Sequence, residues 1–62
     1  MKLQALRESL HFTKKDIAKE IGVSASYYYK VESGQLNPSY EFMRKLKNRF
    51  PRVNIDQLFF NK

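Results

Sequence analysis

Ala25, Ser26, Tyr29 and Lys30 place a methyl group, a hydroxyl, a phenol and an ammonium along one side of a short predicted helix. Tyr29 lies four residues after Ala25 and three after Ser26, with Lys30 alongside, so helical winding gathers them on one face. This is recognition chemistry. Ala25 can meet a thymine methyl, Ser26 can donate or accept, and Lys30 can reach guanine O6 and N7 or a phosphate. Lys14 and Lys15 stand at the start of the preceding helix, where free N–H groups and the helix dipole favour an anion. Covalent chemistry lacks its materials. One His, no Cys and six scattered carboxylates form no triad, no dyad at recognisable spacing and no metal set, so the chain is read as a non-enzyme without metal or cofactor. His11 reads as an exposed linker residue, and Gly22 and Gly34 read as helix ends rather than a phosphate loop.

The elements that must hold these residues can be read from caps and stripes. Thr13 is placed to cap the N–H of Asp16, with the Asp16 carboxylate reaching back, and Phe12 and Ile17 occupy the flanking staple positions. Ile17, Ala18 and Ile21 form an apolar stripe that Gly22 terminates. Ser24 caps the next helix, with Val23 and Tyr28 repeating the staple. Two helix starts so close together force a sharp bend, the geometry of a helix-turn-helix. Tyr27, Tyr28 and Tyr29 diverge by about 100° per residue and cannot share a role. Tyr28, three before Val31, belongs inward with its hydroxyl at the rim, while Tyr27 flanks the reading face.

The rest of the chain supplies packing. Leu3, Leu6 and Leu10 predict a first helix over residues 2 to 10. After the Asn37, Pro38, Ser39 start signal, Tyr40, Met43, Leu46 and Phe50 predict a fourth apolar stripe that stops at Pro51. Asn54 then caps a last short helix, with Gln57 at the capping-box position and Val53 and Leu58 as a staple. The expected architecture is all-α, five helices in one domain over residues 1 to 62, with no strand alternation, repeat or low-complexity segment.

Twelve Lys and Arg against six Asp and Glu give a net charge of +6, a balance that favours polyanions. At 62 residues the core must be small, and a partner subunit can help it. The absence of Cys fits the cytoplasm. Arg7 and Glu8 interrupt the opening MKLQALRESL, which is therefore no signal peptide, and no apolar run approaches a membrane span.

Leu6 and Arg7, Thr13 with Ile17 and Ala18, Gly22, Val23 and Ser24, Lys30 to Glu32, Gly34, Asn37 to Ser39, and the closing Val53 to Asp56 with Leu58 occur in an informative order and spacing. In that order the chain resembles the phage-repressor and Cro-type helix-turn-helix family, also called the xenobiotic-response-element type, over nearly its whole length. It departs from the usual pattern at Lys14, at Ala25, and at Pro51 with Arg52, which lengthen the last connection by a residue. The resemblance implies a lambda-repressor-like fold with the helix-turn-helix at the second and third helices. It places Ala25, Ser26, Tyr29 and Lys30 at base edges in the major groove. It also implies DNA backbone contacts from Lys14, Lys15, Ser24, Tyr27, Gln35 and Asn37, and an ion pair of Arg7 with Glu32 tying the first helix to the third. The second basic cluster, Arg44, Lys45, Lys47, Arg49 and Arg52, falls at the end that points away from a duplex and is read as a solvated face.

The functional expectation is sequence-specific binding of double-stranded DNA by a cytoplasmic transcriptional repressor of phage, plasmid or mobile-element style. With no sensor domain expected, control falls to the protein's own concentration or a partner. The alternative is a protein-interaction module, antitoxin-like or adaptor, whose basic face meets an acidic protein. One reading helix touches too few base pairs to select an operator, so a homodimer on a near-palindromic site is expected, with no membrane association. Phe59 and Phe60 cannot both turn inward and mark the candidate dimer interface.

Overall fold

Every regular element in the structure, a computed structural model that describes residues 2–60, is helical. Four α-helices follow in order, α1 (Lys2–Ser9), α2 (Lys14–Ile21), α3 (Ala25–Glu32) and α4 (Tyr40–Arg49), and a π-helical turn (Asp56–Phe60) closes the chain. The five helical segments and the absence of strands among the described residues match the expected all-α class.

Side-chain caps set the helix starts. Thr13, Ser24 and Ser39 are extended residues whose hydroxyls accept the N–H three residues on, each at 3.1 Å. Such caps are worth about 1 kcal/mol apiece. Asn54 Oδ1 accepts from the Gln57 N–H at 3.0 Å in the same way. The reciprocal bond expected from Asp16 back to Thr13 does not form among the described residues, since aspartate is a methylene shorter than the glutamate that usually closes the box.

The ends share one device. Gly22 and Gly34 are left-handed, with φ of 96° and 86°, and the N–H of the residue after each returns to the carbonyl five residues back. α1 ends likewise on His11 at φ 63°, the N–H of Phe12 reaching the Arg7 carbonyl at 3.3 Å. The reversal at His11 shortens α1 relative to the predicted span and turns Leu10 outward, correcting its place in the predicted stripe.

The core is Leu3, Ile17, Ala18, Ile21, Tyr28, Val31, Phe42, Leu46 and Val53. The predicted α4 stripe is rotated. Tyr40 is 76% exposed, Met43 is half-buried, and Phe42 occupies the centre, its ring 5.6 Å from that of Tyr27 and 6.3 Å from those of Tyr28 and Phe59. α2 packs against α3 and α4, and α1 against the closing turn. The α4 cations are largely occupied: Lys45 Nζ donates to the Gly22 carbonyl at 3.2 Å, Lys47 Nζ to that of Val53 at 2.6 Å, Arg44 pairs with Glu41, and Arg49 pairs with Glu20 at 2.6 Å.

Candidate nucleic-acid interface

Burial of Tyr28 and Val31 fixes the rotation of α3 and decides which side it shows to solvent. Ser26, Tyr29 and Lys30 are exposed on that side, Tyr29 by 44%, and Ala25 sits half-buried at its edge. Gly22 makes the presentation possible, since its left-handed backbone ends α2 and turns the chain before α3 begins at Ala25.

Lys14 joins this surface from the start of α2. Its ammonium lies 5.6 Å from the centre of the Tyr29 ring and 4.0 Å from Glu32 Oε1. The sequence pointed to Lys14 and Tyr29 separately, and the structure brings them together as a cation against an aromatic face. Lys15 and Lys30 are exposed and make no ion pair among the described residues. Ser24 Oγ is engaged as the α3 cap.

Tyr27 is held differently from its neighbours. Half-buried, it packs its ring on Phe42, accepts the Ser39 N–H at 3.1 Å and donates its hydroxyl to Ser39 Oγ at 3.3 Å. It thus fastens α3 to the end of the loop that carries Gln35 and Asn37, both exposed. Sequence reasoning missed this latch, which joins residues twelve apart. It also missed Leu36, 42% exposed between the two polar loop residues.

Behind the surface, Arg7 and Glu32 lie nearly buried, with side chains 11% and 4% exposed. Arg7 Nε donates to Glu32 Oε2 at 2.9 Å, one terminal nitrogen to Oε1 at 3.4 Å, and the other to the Phe12 carbonyl at 2.9 Å. One guanidinium therefore ties α1, the α1–α2 connection and α3 together. Burial pushes the Glu32 carboxyl up, but the Arg7 hydrogen bonds, the nearby Tyr28 hydroxyl and the charges of Arg7 and Lys14 outweigh it, holding it below the ordinary carboxylate value. Arg7 is held above its own ordinary value, mainly by the bond to Glu32. The Tyr28 hydroxyl, expected at a solvated rim, is instead buried beside this pair without a hydrogen-bond partner among the described residues. Burial first, and Glu32 second, keep it protonated far above the usual phenol range.

Phe59 and Phe60 part company. Phe59 packs edge-on to Phe42, whereas Phe60 is 60% exposed and borders a shallow apolar depression with Tyr40, Met43 and Ile55. Among the described residues no group of His, Cys, Asp and Glu is placed to hold a metal ion, and no helix is long and apolar enough to cross a membrane.

A family model described as helix-turn-helix matches residues 3–58, nearly the whole chain. No curated protein and no solved structure matches it significantly.

Proposed function

The chain belongs to the Cro/CI-type helix-turn-helix family, which binds double-stranded DNA, and from that membership we propose that it is a sequence-specific transcriptional repressor of phage, plasmid or mobile-element style. In this reading the 62 residues act as one cytoplasmic DNA-binding domain that regulates by occupying an operator. The observation that carries it is the single exposed surface on which Lys14, Tyr29 and Lys30 meet, on a chain of net charge +6. α3 enters the major groove, where Ala25, Ser26, Tyr29 and Lys30 meet base edges. Lys14, Lys15, Ser24, Gln35 and Asn37 contact phosphates, and Tyr27 serves the backbone side through the loop it latches. Arg7 and Glu32 set the angle of α1 to α3.

The repressor binds as a two-fold dimer with reading helices about 34 Å apart on a near-palindromic site. The exposed Phe60, beside Tyr40, is the surface that would close that dimer, with Phe59 supporting it from within. Selecting bound duplexes from a random pool at moderate salt tests the reading. Enrichment of one near-palindromic sequence is expected. Binding that falls steeply with salt but enriches no sequence would reduce the protein to a non-specific polyanion binder.

A further inference from the structure

Along α1, on the side formed with the α4 exit and the closing turn, run two depressions that share Leu6, Arg52 and Val53 and so make one groove. It measures about 590 Å³ toward Lys2 and about 400 Å³ toward Leu10, and none of its lining residues comes from α2, α3 or the loop after α3. The Leu10 end is floored by Leu6, Phe50, Pro51 and Val53. Leu10 itself is 38% exposed there, left uncovered because His11 ends α1 just beyond it.

The rim is cationic. Lys2, Arg49 and Arg52 line the groove and no carboxylate does. Arg49 pairs with Glu20 and stacks on Phe50 at 4.7 Å, so it forms a wall. Arg52 makes neither an ion pair nor a hydrogen bond among the described residues and leaves its charge available.

We propose that this groove docks a short acidic peptide of a partner protein, seating a bulky apolar side chain between Leu10 and Pro51 and setting carboxylates toward Arg52 and Lys2. Charge complementarity selects this occupant. A duplex offers phosphates but nothing to fill an apolar floor. A second copy is disfavoured here, because the exposed apolar surface around Tyr40 and Phe60 has no carboxylate among its lining residues and would leave Arg52 and Lys2 without a counter-charge. The groove lies outside the reading surface, so a partner seated in it can control the protein while α3 stays free. The inference does not rest on the DNA-binding reading, and its test uses no duplex.

The test is a displayed pool of short peptides built from Asp, Glu, Leu, Ile, Phe and Tyr, panned on the full chain, with enriched peptides titrated by amide NMR. Saturable binding that shifts Leu6, Leu10, Phe50 and Val53 is expected, weakened roughly tenfold or more by Leu10→Asp and by Arg52→Glu, both of which should melt like the parent. Replacing the peptide's acids with Asn and Gln should weaken it comparably. No saturable binder, or one whose shifts centre on Lys14 and Lys30, overturns the proposal. So does an oligomer that Leu10→Asp dissolves, which would assign the groove to a second copy.

Discussion

Removing Arg7 exposes how much of this small fold hangs on one side chain. In Arg7→Ala, Glu32, whose side chain is 4% exposed in the intact pair, loses both guanidinium bonds, and the Phe12 carbonyl loses its donor. Lys14, at 4.0 Å and half exposed, is a weak substitute. Stranding one member of a buried pair costs about 3–5 kcal/mol. At about 0.05–0.15 kcal/mol per residue, a chain of 62 residues has only about 3–9 kcal/mol in total, so the variant should be largely unfolded or melt far below the parent. Replacing the pair together, as Arg7→Met with Glu32→Leu, should recover most of the loss, because both desolvation costs vanish. The charge reversal Arg7→Glu with Glu32→Arg should recover part. The pair also sets an acid limb. Glu32 is depressed in the fold, so its contribution is fully present above the unfolded carboxyl value, about 4.3, and disappears as pH falls through the lower folded value. Urea titrations followed by circular dichroism across acid pH measure both effects. Equal midpoints for parent and Arg7→Ala would refute the reasoning.

Three further outcomes follow from local geometry. His11→Gly should raise stability by about 0.5–1 kcal/mol, or roughly 4 °C in Tm, because φ of 63° suits glycine better than a residue carrying a Cβ; an unchanged or lower Tm would mean that the imidazole makes a compensating contact. Tyr28→Phe should leave stability unchanged or raise it, since a buried hydroxyl without a partner carries a desolvation penalty of about 1–3 kcal/mol; a loss of about 1 kcal/mol or more would show that it is bonded to Glu32. Phe60→Ala should leave the melt near that of the parent but weaken dimeric occupancy of a palindromic duplex in sedimentation and footprinting, and undiminished dimer binding would move the interface elsewhere.

Local interactions were legible in the residues themselves, whereas of the non-local ones the Arg7–Glu32 pair was expected only through the family resemblance. Thr13, Ser24 and Asn54 announce helix starts because a cap reaches only three residues ahead, and Gly22 and Gly34 announce ends because the left-handed turn favours glycine. His11 performs the same turn without the glycine signal, so α1 was read too long and Leu10 too deep. In α4, Leu46 and Phe50 lie inward as expected, but Tyr40 and Met43 extend their stripe on spacing as well as Phe42 does. Contacts with Tyr27, Tyr28 and Phe59 decide in favour of Phe42, and spacing alone does not contain them. The exposed side of α3 followed from Tyr28 and Val31 being inward. The approach of Lys14 to Tyr29 and the latch of Tyr27 on Ser39 required the packing of α2, α3 and α4.

The central claim, that the exposed side of α3 reads bases while the start of α2 holds phosphate, is tested most directly by comparing Lys30→Ala and Tyr29→Ala with Lys14→Ala on one panel of duplexes over a range of salt. Lys30→Ala is the cleaner of the two reading-face variants, because Lys14 packs over Tyr29. Lys30→Ala and Tyr29→Ala should lose about 1–3 kcal/mol on the preferred duplex and change the ranking of the others. Lys14→Ala should weaken every duplex alike and reduce the salt slope by about one ion. Reading-face variants that keep the parent's ranking and lose affinity uniformly, or not at all, would contradict the claim.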